Sequence, residues 1–307
     1  MILITGSRGL IGSATAKRLE AAGHAVRTFD VSDDLSQDIC SPSALSKALE
    51  GVVGVIHLAA VSRVVWAQAD PEKTWTTNVE ALGGLLTAAR AMPVPPWMVF
   101  ASSREVYGEP ASLPVAESAA LVPLNVYARS KVAGETMVRA AAADGLVANV
   151  ARFSNVYGCI NDHHDRVVPA FARAAAKAGL MRIEGPNHMF DFTHIADVAR
   201  GLHLLVDATA AGERLDPVHF VTGEGTTLGQ LADIAVRTGD GRVRQELAPP
   251  RNYDVARFTG DPRRAQETLG WTAEISIADG FAGLVDAFRL AGVDAPDNSA
   301  VECVGVV

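Results

Sequence analysis

The residues best suited to chemistry in this chain are a serine, a phenol and an ammonium: Ser103, Tyr127 and Lys131. In Tyr127-Ala-Arg-Ser-Lys131 the phenol and the ammonium lie four positions apart, on one face of a helix, so both can point into one pocket. Ser103 follows an apolar run, Trp97 to Ala101, and is delivered with Arg104 and Glu105 to the end of a strand. A phenol beside a cation can take a proton from an alcohol, while a hydroxyl steadies the oxygen that becomes a carbonyl. A lone Tyr–Lys pair at this spacing is common on protein surfaces. Its weight here comes from the company it keeps.

That company is the amino-terminal segment. Ile2, Leu3 and Ile4 form a short apolar strand that breaks into Gly6, Gly9 and Gly12, with a helix starting near Leu10. Such a loop brings backbone close to a pyrophosphate and aims the N–H groups of the helix start at it. A second strand, Ala25 to Phe29, ends in Asp30, where a carboxylate can hold a ribose hydroxyl. Asp30 repels a 2'-phosphate and Arg8 in the loop attracts one; the acid is the direct ribose contact, so NAD is expected rather than NADP. Asp38 and Ile39 either flank an adenine ring or are a solvated acid beside a core isoleucine. Gly54 to Leu58 is a third strand. The small residues after it, Ala59 and Ala60, let backbone lie against a flat cofactor, and His57 reads as a packed structural histidine.

Alternation of strands and helices through the first half predicts an α/β fold, a Rossmann-type doubly wound parallel sheet. A smaller C-terminal α/β substrate domain is expected after it. The boundaries read from the sequence are 1–157 for the dinucleotide domain, with return segments near 186–224, 158–293 for the substrate domain, and a frayed tail over 294–307. Helices are expected over Thr74 to Ala91, carrying Asn78, and from Arg166 to about Ala178. Asp162, His163, His164 and Asp165 lack the spacing of a ligand set, and no metal is expected.

The chain has 307 residues, 49% of them hydrophobic, enough for a substantial core. A formal charge of -8, with no run of Lys and Arg, argues against a nucleic-acid surface. Cys40, Cys159 and Cys303 are too scattered for a disulfide framework or a metal knuckle. No apolar stretch reaches the length of a membrane span, and Met1 lies directly on the first strand. A soluble cytoplasmic protein is expected.

Together these residues resemble the extended short-chain dehydrogenase/reductases of the NAD-dependent sugar epimerase/dehydratase type. The likeness runs over residues 1 to 291. It rests on the glycine loop, Asp30, Asp38-Ile39, His57-Leu-Ala-Ala60, Asn78, Ser102-Ser-Arg-Glu-Val-Tyr-Gly108, Tyr127 with Lys131, Arg152-Phe-Ser-Asn-Val-Tyr-Gly158, Asp191-Phe-Thr-His194 and Leu269-Gly-Trp271. The resemblance implies that Ser103, Tyr127 and Lys131 are catalytic. Glu105 either assists chemistry beside a transient ketone or is only the ion-pair partner of Arg104, which could itself hold a carboxylate or phosphate. NAD would lie on Gly6, Arg8, Gly9, Leu10, Ile11, Gly12, Asp30, Asp38, Ile39, Leu58, Ala59, Ala60, Asn78, Ala101, Tyr127 and Lys131. Ser62, Ser103, Arg104, Asn155 and Arg251 would face a sugar or nucleotide-sugar substrate, and the helices near 74–91 and 127–143 would pair in a homodimer.

Two departures stand out. Phe190 occupies the place where relatives carry a diphosphate-binding arginine; without a replacement the lost contact weakens binding by about 1.5 to 3 kcal/mol. Cys159-Ile-Asn-Asp replaces the usual Pro-Gly exit of its strand. The expected function is nucleotide-sugar epimerisation through a transient keto intermediate. Oxidation of a free sugar or sugar acid, dehydration or decarboxylation of a nucleotide sugar, and NAD sensing without catalysis remain open alternatives. Arg104 stands where dehydratases have an aspartate and stays protonated, so simple dehydration is disfavoured.

Overall fold

The structure is a computed structural model and describes residues 1–249 and 255–292. Strand β1 (Ile2–Thr5) is buried throughout. Ile2 and Ile4 join one hydrophobic cluster and Leu3 the other, the period-two split of a strand covered on both faces. The chain continues through α1 (Leu10–Ala21), β2 (Val26–Phe29), α2 (Pro42–Leu49) and β3 (Gly54–His57). Ser41 caps α2 with Pro42 in its first turn.

Helices α3 (Val64–Ala69) and α4 (Pro71–Trp75) then lead through a π-turn, Thr76–Glu80, into α5 (Ala81–Arg90). This rod starts before Thr74, the start expected from sequence, because Asp70 accepts a hydrogen bond from the Lys73 amide at 2.9 Å and Pro71 fits the first turn. Strand β4 (Trp97–Ser103) passes into a 3₁₀ turn, Arg104–Tyr107, and Asn125 caps α6 (Val126–Ala143). The second half comprises β5 (Ala148–Phe153), β6 (Asn155–Tyr157), α7 (Val167–Lys177), β7 (Leu180–Glu184), β8 (Met189–His194), α8 (Ile195–Ala210), β9 (Val218–Phe220), β10 (Gly225–Thr227), α9 (Leu228–Thr238), β11 (Arg244–Ala248), α10 (Arg263–Leu269) and α11 (Ile277–Ala291).

Six parallel strands form the main sheet in the order β2-β1-β3-β4-β5-β9, the Rossmann-type arrangement expected. One cluster packs α1 and α8 on one face; the other packs α2, α5 and α6 on the opposite face. The order reverses between β1 and β3, so the loops leaving them diverge and open a crevice at the carboxyl ends of the strands. Of the return stretch near 186–224, α8 and β9 pack into this body, whereas β8 joins a separate sheet, β10-β8-β6. Strands β7 and β11 form a further parallel pair, and Phe171, Phe190, Phe192, Phe281 and Phe288 belong to a third hydrophobic cluster there. Among the described residues no helix is long and apolar enough to cross a membrane. Arg251, Cys303 and the stretch 294–307 lie outside the described residues.

Candidate active site

The glycine loop is built by close approach. A Cβ on Gly6, at φ +71°, would stand 2.6 Å from the Ala59 amide nitrogen, and one on Gly12 would stand 2.1 Å from the Gly6 carbonyl oxygen. Only hydrogen at these positions lets β1, the start of α1 and the segment after β3 meet. Gly9 caps α1 without a side chain, leaving the first N–H groups of the helix open, and the buried Ser7 hydroxyl has no partner in the chain. A cradle with open donors fits a dinucleotide diphosphate. Leu58 and Ala60 are buried beside it, and Thr5 Oγ1 accepts from the Ala59 amide at 3.4 Å. His57 is buried, bonded to Thr5 at 2.8 Å, and burial pushes its pKa down to about 3.

Asp30 is buried at the tip of β2. Its carboxylate accepts from the amides of Arg8 and Ser32, each at 2.9 Å, which fixes it between the glycine loop and the turn after β2. The Arg8 guanidinium is exposed and paired with Asp33. Asp38 accepts from the Cys40 amide at 2.8 Å, and Ile39 is buried in the core. Asn78, expected on the cofactor, is engaged within the chain. Its carbonyl accepts from the Val61 amide at 2.7 Å, and its amide donates to the Val61 carbonyl and Ser130 Oγ at 3.0 and 2.9 Å. The π-turn that places it here has no sequence signature, and these bonds join the segment after β3 to α6.

Across the crevice, β4 ends at Ser103 and α6 presents Tyr127 and Lys131 in successive turns. The Ser103 hydroxyl and the Tyr127 phenol line one cavity, and Ser103 accepts from the Glu105 amide at 3.2 Å. Burial raises the tyrosine's pKa, Ser103 lowers it, and Glu105 raises it. Lys131 donates to the Ala101 carbonyl at 2.9 Å, with Nζ 5.2 Å from the Phe100 ring centre and 5.7 Å from that of Tyr127. Burial pushes its pKa down to about 8. Its first bond is thus to backbone rather than to the phenol.

Two adjoining cavities of about 220 and 460 Å³ share Arg63, Arg104, Asn155, Val156 and Arg166. The smaller holds Ser62, Ser103, Glu105 and Tyr127; the larger extends past Phe190, Phe192 and His188. Arg104 Nε donates to Asn155 Oδ1 at 2.9 Å, Nη2 pairs with Glu105 at 2.9 Å, and the guanidinium lies 4.8 Å from the Phe190 ring centre. Glu105 also accepts from Asn125 at 3.0 Å. Arg63 forks onto Asp165 at 2.6 and 2.8 Å, Asp162 pairs with Arg166, and His163 packs edge-on against Trp66. Asp162, His163 and Asp165 thus pin the segment before α7 to its neighbours. Among the described residues, the group with metal-like proximity is instead His24, His203 and Asp207, outside both cavities.

Sequence reasoning missed the polar layer behind α6. Glu135, one turn beyond Lys131, takes Ser102 Oγ at 2.6 Å and the Arg152 guanidinium at 2.6 and 2.8 Å. Its spacing from Lys131 was readable; its partner on β5 was not.

Fold and site define a dinucleotide-dependent enzyme of the Rossmann type. The chain belongs to the NAD dependent epimerase/dehydratase family, whose sequence model matches residues 2–221. It is 30% identical over 298 residues to the UDP-glucose 4-epimerase of Streptomyces lividans, covering 88% of this chain and 90% of the relative. Among solved structures, MoeE5 in complex with UDP-glucose and NAD is 27% identical with a TM-score of 0.85, covering 95% of this chain and 99% of MoeE5. The UDP-glucose 4-epimerase from Thermotoga maritima with UDP-glucose is 26% identical with a TM-score of 0.87, at the same coverage of both chains.

Proposed function

We propose that this protein epimerises a nucleotide sugar through a transient ketone, with NAD recycled inside each turnover. The observation that carries the reading is the cavity that Ser103 and Tyr127 line together with Leu10 and Ile11 at the glycine cradle, with Lys131 over the Tyr127 ring. Gly6, Ser7 and the α1 start from Gly9 to Gly12 would hold the dinucleotide diphosphate, and Asp30 a ribose. Arg8 contributes its backbone rather than its guanidinium. Asp38, Ile39, Leu58, Ala59, Ala60 and Ala101 shape the walls, and Asn78 acts through Val61 and Ser130. NAD, when bound, accepts and returns the hydride and brings a positive ring that favours the phenolate. Tyr127 takes the proton of the sugar hydroxyl and later gives it back, while Ser103 donates to the oxygen that becomes the carbonyl. Lys131, lying over the Tyr127 ring, adds positive potential at the phenol. Ser62, Asn155, Arg104 and Arg251 belong to the substrate side. Glu105, held by Arg104 and Asn125, serves as an ion-pair partner, which disfavours loss of water.

The body built on the main sheet serves the cofactor, and the part around β6, β8 and the third hydrophobic cluster serves the substrate. We assign the working form as a cytoplasmic homodimer joined through α5 and α6. A second reading, oxidation of a free sugar or sugar acid, is favoured by Phe190, which gives the larger cavity an apolar wall. Incubating the NAD-loaded enzyme with UDP-glucose and resolving the products separates the two: an epimer with no net NADH supports the proposal, and stoichiometric NADH overturns it. Tyr127→Phe keeps the ring's packing and removes the proton acceptor, so turnover falls by about a hundred-fold to ten-thousand-fold. A variant retaining half of the activity would sink the assignment.

A further inference from the structure

Arg104 is 9% exposed and its Nη1 has no partner in the chain. A buried guanidinium nitrogen left bare is costly unless something else accepts from it. Nη1 itself is enclosed, and the residue that carries it lines the smaller cavity together with both reacting hydroxyls, Ser103 and Tyr127. The guanidinium is not free to swing. Asn155 holds Nε, Glu105 holds Nη2, and the Phe190 and Phe258 ring centres lie 4.8 and 5.7 Å away. Glu105 lines the same cavity, and both of its oxygens are occupied, by Arg104 and Asn125. Arg63 and Arg166, which share this cavity, face Asp165 and Asp162 and leave no buried nitrogen unpartnered.

We propose that Arg104 reads a carboxylate on the sugar ring of the substrate, making this an enzyme for nucleotide sugar acids. The inference rests on the nucleotide-sugar reading above. A fixed guanidinium with an unpartnered N–H prefers a charged oxygen to a neutral hydroxyl, since charge-assisted hydrogen bonds are about twice as strong as neutral ones. Arg104 follows Ser103 in the chain and shares its cavity, which places the guanidinium by the sugar; it also borders the larger cavity beside Phe190, so the diphosphate is the rival ligand that the titration with UDP separates.

Calorimetric titration of the NAD-loaded enzyme with UDP, UDP-glucose and UDP-glucuronic acid tests this. Wild type is expected to bind UDP-glucuronic acid at least about ten-fold more tightly than UDP-glucose. Arg104→Met is expected to bring the two within about two-fold. Arg104→Lys keeps the cation, loses the planar fork and retains an intermediate preference, which guards against a folding defect in the first variant. Wild type without a preference overturns the proposal. So does an equal loss on all three ligands in Arg104→Met, which would assign the guanidinium to the diphosphate. Product analysis separates the two readings: no epimer with the preference intact ends the epimerase assignment alone, and an epimer without the preference ends this one alone.

Discussion

Arg152 and Arg104 are both buried against a glutamate, 1% and 9% exposed, and the chain treats them differently. Around Arg152 every donor nitrogen is engaged. Nε and Nη2 bind Glu135, and Nη1 binds the Tyr107 phenol at 2.6 Å and the Glu117 carbonyl at 2.8 Å. Tyr107 passes the chain of bonds to His219 at 2.6 Å. Around Arg104 one nitrogen is left bare, and the guanidinium borders open cavities. A closed set of bonds in the interior ties α6 to β4 and β5 and so sets where Tyr127 and Lys131 stand. An open set at a cavity wall is finished by something that arrives. Burial and charge are alike in the two places; completeness of the bonding separates architecture from recognition.

The strongest way to break this contrast is Arg152→Met. It strands Glu135, 1% exposed, without its main counter-charge, and the expected loss of stability is about 3 to 5 kcal/mol in a urea melt, or failure to fold. A loss under about 1 kcal/mol would show that the layer is dispensable.

Lys131 stands between the two regions, and in the proposed mechanism its charge serves the reaction rather than the fold. The folded chain binds its proton with a pKa of about 8 against an ordinary 10.5. Between those values the unfolded state holds more protons, so stability rises with pH. Below them the charged lysine is a constant cost. Lys131→Met is therefore expected to be more stable than wild type at pH 7, by on the order of 2 kcal/mol after the lost bond to Ala101. The advantage should close as wild type deprotonates towards pH 10, seen by melting both proteins across that range. No gain at pH 7 would place Lys131 with the architecture.

The smallest effect sharpens the contrast from the other side. Arg104→Met leaves Glu105 beside a cavity that water enters, still bonded to Asn125, and is expected to cost only about 1 kcal/mol in the same urea melt. Equal costs for Arg152→Met and Arg104→Met would erase the distinction.

The parts legible in the sequence obey local rules. Ile2 to Ile4, Gly6, Gly9, Gly12 and Asp30 follow one another within a single strand–loop–helix unit, and Tyr127 with Lys131 declare their shared face by helical period alone. What stayed hidden depends on residues that meet only after folding. Asn78 read as a cofactor contact, and its bonds to Val61 and Ser130 join segments that no local pattern brings together. Strand β11 is polar and mostly exposed, and it pairs with β7 in a register that sets Arg244 opposite Leu180; nothing within either segment signals the other. Arg104 beside Glu105 read from the sequence as a hold on a carboxylate or phosphate or as an ion pair, and what the fold adds is the bare nitrogen and the ring of Phe190 beside it.

The π-turn at Thr76–Glu80 makes residue count, and not only residue identity, part of the site. A π-turn carries one residue more than the α-turn it replaces. Deleting a residue there would let one unbroken α-helix run from Pro71 to Arg90, while rotating every side chain on one side of the cut by about 100° relative to the other. The helix itself would be better formed. The clasp that Asn78 makes between Val61 and Ser130 would be lost, because its side chain or its partners would face elsewhere. Along this stretch substitutions are therefore the milder changes, and a single-residue deletion that leaves the composition almost untouched is the severe one.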